Sequence, residues 1–302
     1  IVLVGINVIA ILGVSLMFAF TGLFTFGHAA YFGVGAYTAG LLSVNLHTPF
    51  PVSLLGGALA AALVALAVGY PTLRLRGDYF VVASMGVGEI IVRLIEGLHK
   101  ITGGARGFPG IPHKADVWVV WIIALACILL CRNLINSRHG RNCIAILENE
   151  LAAQMLGVNT FAYKMKIFAL SAGITGLAGG LLGHFTTVLH PSMFGFLKST
   201  EMIITVILGG IQSLTGSILA VILVTVLPEF LRAVSGWRMV IYGLAVIVMI
   251  ILRPQGLLGY KELTIPKKLQ HFWPSAIRGR ACAGYSGDHR IDQELRRTGR
   301  SG

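Results

Sequence analysis

No Asp, Glu, Lys or Arg precedes Arg74, and further uncharged runs cover residues 117–131, 167–197, 202–228 and 239–252. A run of roughly 20 apolar residues is what a helix needs to cross a bilayer. Lipid offers no water to satisfy backbone N–H and C=O groups, so each such run must be helical or shielded inside protein. Only 12% of the residues are charged, about half the share usual in soluble domains. The expected fold is all-α: a polytopic membrane bundle rather than a soluble core.

The formal net charge is +12, from 24 basic and 12 acidic residues. Its placement argues against nucleic acid as a partner. The basic residues crowd into the stretch from Arg253 onward and around a short polar segment, as Arg132, Arg138, Arg141, Lys164 and Lys166. Such crowding is the excess expected of cytoplasmic loops. The chain therefore divides into a membrane part, 1–260, and a basic, polar tail, 261–302, expected to be cytoplasmic and unpacked. The cysteines show neither zinc spacing nor a disulfide framework, and no metal is expected.

Candidate spans are 1–24, 28–46, 52–70, 79–98, 117–132 and 160–184, followed by the stretch 200–252. Pro71 is expected to mark the end of one span, and the Gly- and Pro-rich loop 99–116 suits a structured turn more than a helix. If the polar segment and the basic tail face the same side, two passes must lie within 200–233. The break between them falls at "LGGIQSLTG" (208–216), one pass can be a half-helix, and a last pass runs near 238–252. The count is about nine crossings, and parity leaves Ile1 on the outer side.

Chemistry is sparse. There is no G-x-x-x-x-G-K-[ST] loop to cradle ATP, no paired histidine motif and no nucleophile–base constellation, so no enzyme activity is expected. "AGITGLAGGLLG" (172–183) and "HAAYFGVGAYTAG" (28–40) place small residues at G-x-x-x-G-like spacing. The simplest reading is close packing of helices within one bundle; a subunit interface is the other. "RLRGDYFVVASMGVGEIIVRLIEGL" (74–98) puts Asp78 where a helix N-cap should be. Deeper in the same segment, Glu89 and Arg93 stand at i,i+4 with Glu96 beyond them. They are expected to pair on one turn, either as a self-neutralised pair facing the bundle interior or as the lining of a polar path. Gly86 and Gly88 flank that path.

The polar interruption is "AILENELAAQMLGVN" (145–159). As one helix over about 143–157, Ile144, Leu147, Leu151 and Met155 form an apolar face, with Glu148, Asn149, Glu150 and Gln154 around it and Gly157 as C-cap. It is too short and too polar to span. Helices that merely lie on lipid favour Lys and Arg on their polar face; this one is acidic, which favours insertion into a soluble partner protein.

With these residues in view, "ENELAAQMLGVN" (148–159) resembles the coupling-helix motif of ATP-binding-cassette importer permeases. Together with "GHAAYFGVGAY" (27–37), "RLRGDYFVVASMGVGEI" (74–90), "TGGARGFPGIP" (102–112) and "RPQGLLG" (253–259), it is similar to the LivM subfamily of branched-chain amino acid permeases. The resemblance covers about 1–260 and not the tail. It implies a multi-pass protein of the bacterial inner membrane with a cytoplasmic C-terminus and about ten helices in a full-length chain, so that one further helix is expected before Ile1. The implied partners are a second permease of the LivH type, two cytoplasmic ATPases of the LivG and LivF types that hold the ATP and Mg²⁺, and a periplasmic binding protein. It places ATPase docking on Glu148, Leu151, Ala152, Ala153 and Gly157. It also singles out Arg76, Gly77 and Asp78, and Thr102, Gly103 and Gly104, as structural motifs. Permeases for urea or short amides share this architecture and stay open as a substrate alternative. An ion-coupled secondary transporter is a different class, for which Glu89 is the only deep candidate.

Overall fold

The computed structural model describes residues 1–75, 77–210 and 214–230, together with Gly243. Arg76, the expected pass near 238–252 apart from Gly243, the "RPQGLLG" segment and the tail 261–302 lie outside the described residues. Every long apolar run within them is a helix. The elements are α1 (Val2–Thr21), α2 (His28–Asn45), α3 (Phe50–Thr72), α4 (Asp78–Gly97), α5 (His99–Thr102), α6 (Val117–Asn136), α7 (Arg138–Glu148), α8 (Glu150–Met155), α9 (Thr160–Thr186), α10 (Phe196–Gly209) and α11 (Leu214–Phe230). Short 3-10 turns occupy Gly104–Arg106 and Pro191–Phe194.

Five segments among the described residues are long and apolar enough to cross a membrane: Val2–Ala19, Phe50–Thr72, Val117–Asn136, Thr160–Thr186 and Pro191–Gly209. With α2, α4 and α11 beside them, the architecture is the expected all-α polytopic bundle. Two boundaries differ from the sequence reading. Pro71 lies inside the last turn of α3 and not beyond it; its missing N–H removes one bond so close to the end that the helix runs on to Thr72. Asp78 is the first residue of α4 and not its cap, because Gly77 takes the cap position at φ +58°. Asp78 then acts through its charge on the helix N-terminus. The expected break in 208–216 is present: α10 ends at Gly209, Gly210 has φ +107°, and α11 starts at Leu214.

α9 is the axis of the bundle and packs against α1, α2 and α3. Its 27 residues reach about 40 Å at 1.5 Å per residue, a full bilayer with headgroups. The small-residue stripes explain how it is surrounded. A Cβ on Gly35 would run into the backbone of Gly176, and one on Gly176 would strike Ala61. Gly179 lies against the Phe32 carbonyl, and Gly57 would place a Cβ 2.6 Å from the Gly35 carbonyl. These contacts are all within the chain, so the stripes serve packing inside one bundle. Where lipid supplies no hydrophobic contrast between helices, such backbone approach is the main source of association.

One buried polar relay crosses the same core. The Ser171 hydroxyl donates to the Gly13 carbonyl at 2.6 Å and faces His28 Nε2 at 2.7 Å. With the serine proton committed to Gly13, the imidazole must be the donor to Ser171, which fixes its tautomer. α1, α2 and α9 are thereby joined by side chain as well as by packing.

Candidate functional site

At the end of the bundle where α6 ends and α9 begins, the chain folds into two short helices. Ser137 caps α7, its hydroxyl accepting from the Gly140 N–H at 3.2 Å. α7 buries Gly140, Cys143 and Ile146, and Leu147 abuts Gly22 at the end of α1. Burial pushes the Cys143 thiol up to about 11. At Asn149 the backbone turns extended, with φ −156° and ψ 104°, and the Asn149 side chain accepts from the Ala152 N–H at 3.0 Å. The single helix expected over 143–157 is therefore two helices with a corner at Asn149. An asparagine oxygen offers the backbone an alternative to continuing the ladder, and the same oxygen starts α8 as its N-cap. α8 closes as expected at Gly157. Its N–H bonds the Gln154 carbonyl at 2.9 Å, and the Val158 N–H bonds Ala153 at 3.1 Å. This Schellman pair requires the left-handed φ of +80° found at Gly157.

α8 is anchored to α9 from beneath. Lys164 Nζ lies 2.7 Å from Glu150 Oε1, Gln154 Nε2 donates to Thr160 Oγ1 at 3.1 Å, and Asn142 of α7 donates to the Tyr163 hydroxyl at 2.8 Å. Above these ties an apolar surface is left uncovered. Leu151 is 71% exposed, Met155 89% and Leu156 81%. Glu148, Ala152 and Gly157 are also exposed, whereas Ala153 is buried to 2%. Of the residues singled out for docking, Glu148, Leu151, Ala152 and Gly157 are thus each exposed, and Ala153 is buried. The expected single apolar face is split: Leu147 is half-buried, whereas Ile144, Leu151 and Met155 are exposed. The corner at Asn149 rotates the second half of the segment relative to the first.

The opposite end of the bundle carries the other candidates. The expected Glu89–Arg93 pair is not formed. Arg93 reaches forward instead, to Glu96 Oε2 at 2.8 Å, and its side chain is 73% exposed. Glu89 Oε1 accepts from the Phe196 N–H at 2.9 Å. It caps α10, satisfying an orphan donor at that helix start. Both residues line an open cleft of about 410 Å³ between α4 and the Pro191–Leu197 segment. Arg93 consequently faces outward, not into the bundle interior. Gly86 is exposed with open space beyond it, and Gly88 is packed against Gly27; neither belongs to the cleft.

The Thr102–Gly104 motif holds the rim of that cleft. Thr102 Oγ1 donates to the Ile95 carbonyl at 2.6 Å and accepts from the Gly104 N–H at 3.3 Å. Gly103, at φ +74°, leaves no room for a Cβ beside the Gly107 carbonyl. The loop then pairs with the chain after α9, Phe108 with Leu189 in both directions at 2.8 and 3.1 Å. The structured turn expected over 99–116 is thus a strap tying α4 to the end of α9. Sequence reasoning missed three participants: the Lys164 tie, the exposed Leu156, and the backbone of 191–197 as a cleft wall. Only Asn149 carried a readable signal, an N-cap residue followed by an acidic first turn.

Among the described residues no group of acidic, histidine or cysteine side chains could hold a metal ion. Comparison with known proteins points elsewhere. A family model described as branched-chain amino acid transport system / permease component matches residues 1–252. The high-affinity branched-chain amino acid transport system permease protein LivM of Escherichia coli (strain K12) is 31% identical over 287 residues, covering 84% of this chain and 68% of that protein. The LivH permease protein of the corresponding system in Salmonella typhimurium is 23% identical, covering 83% of this chain and 91% of its own length. BraD of Pseudomonas aeruginosa is 25% identical over the same shares. No solved structure matches. With uncharged spans packed around α9, and a family match running from residue 1 to 252, the chain belongs to the branched-chain amino acid transport system permease component family.

Proposed function

We propose that this chain is a membrane-spanning permease subunit of an ATP-driven importer, passing leucine, isoleucine and valine along a path shared with a second permease. The relatives named as LivM, LivH and BraD permeases support the substrate class. The observation that carries the mechanism is the α8 surface: three large apolar side chains exposed together on a helix anchored by Glu150–Lys164 and Gln154–Thr160 to the central helix. Such a patch suits a groove on a soluble partner, read here as the cytoplasmic ATPases. A periplasmic binding protein would deliver substrate at the opposite end. The exposed Arg93–Glu96 pair supports the shared path, because a charged pair on α4 is expensive against lipid and inexpensive against water or a second permease.

No bond-making is assigned to this chain. ATP-bound and ATP-free partners would bind α8 with different strength in outward- and inward-open states, and that difference shifts the equilibrium. Gly157→Pro tests the contact. Proline cannot adopt φ +80° and removes the N–H that closes α8, so ATP-dependent uptake and copurification of the ATPases should both be lost while the protein remains inserted. Normal uptake by an inserted Gly157→Pro variant rules the docking role out.

A further inference from the structure

We propose that the cleft between α4 and the Pro191–Leu197 segment recognises the zwitterionic head of an aliphatic α-amino acid, Arg93 taking the carboxylate and Glu96 with Glu89 the ammonium. This rests on the transport reading above and names what the path reads in its substrate. The cleft's volume of about 410 Å³ falls in the range of small-molecule sites, about 300–1,000 Å³. Its charged wall holds one guanidinium and two carboxylates on a single helix face; its apolar wall is Val92, Pro191, Phe196 and Leu197. Glu89 is prepositioned, since the Phe196 N–H fixes Oε1 at 2.9 Å. The Arg93–Glu96 bridge uses Nη1 of a group with five donors. A zwitterion sliding between them replaces one ion pair by two of the same kind, ammonium on Glu96 and carboxylate on Arg93, so neither charge is stranded. An aliphatic side chain then lies against Val92 and Phe196. A neutral amide such as urea could make no such exchange.

Ala105 is exposed on the rim of the same cleft, which allows a direct test. Ala105→Cys, in the complete transporter in proteoliposomes, is labelled with a cationic thiol reagent and read by peptide mass spectrometry. Leucine should slow labelling and urea should not. Adding Arg93→Gln should raise the leucine concentration for half-protection about tenfold, the effect of losing one charge-assisted contact. Its exposed position makes misfolding an unsuitable explanation, and Arg93→Lys should recover part of the protection. Leucine uptake without protection at Ala105, equal protection by urea, or unchanged protection with Arg93→Gln overturns the site and leaves the transport reading standing. Failure of the unsubstituted transporter to take up leucine removes both.

Discussion

Asn149 closes one helix with its backbone N–H, bonded to the Ala145 carbonyl, and opens the next with its carboxamide oxygen. Replacing it with Ala removes the cap bond to Ala152, a loss of about 1 kcal/mol. The expectation for Asn149→Ala is faster amide hydrogen exchange over 150–157 with exchange in α9 unchanged; equal exchange in α8 would show that the cap is not what holds it. Cys143 makes a second prediction at this scale. Its thiol is buried and pushed up to about 11, so at neutral pH it stays protonated, and the thiolate is the reactive form. A maleimide at pH 7.5 should leave Cys143 unmodified in the folded protein and modify it after denaturation, as read by peptide mass. Ready labelling of the folded protein would place α7 away from the bundle.

Among the elements, α9 depends on neighbours that come within backbone distance. Gly179→Val puts a side chain onto the Phe32 carbonyl, whereas Gly86→Val meets open space. Overpacking of that kind destabilises by about 1–3 kcal/mol or more, so the first variant should lose several degrees of thermal stability in detergent and the second should melt like the parent. Equal melting would contradict the arrangement of α2 against α9. The helices themselves were legible in the sequence, because uncharged runs bounded by Pro, Gly and polar turns leave lipid-crossing helices as the only economical solution. The α10–α11 break was legible for the same reason, from the Gly-rich "LGGIQSLTG". What could not be read were pairings set by tertiary approach. Glu89 had a residue of opposite charge four positions on, yet the start of α10, more than a hundred residues away, supplies a donor with no other partner. Arg93 was then left to Glu96. The α7–α8 corner was marked only by Asn149 and the acidic turn after it, a signal outweighed by the i, i+3, i+7 apolar pattern that continues through Asn149.

On the scale of the whole molecule, α9 runs from one candidate site toward the other: its first turns carry the ties to α8, and the strap from Phe108 to Leu189, whose loop reaches the cleft rim, follows its last turn. A push on α8 and an opening near the cleft are therefore connected by one continuous helix wrapped by α1, α2 and α3. That geometry suits a subunit that receives work at one end and admits substrate at the other. The most direct measurement is uptake of labelled leucine and labelled urea, side by side, in cells deleted for this chain and then complemented. Leucine uptake lost on deletion and restored by complementation, with urea uptake unaffected, is the result expected of a branched-chain amino acid permease. Urea uptake lost and restored, with leucine unaffected, would contradict it.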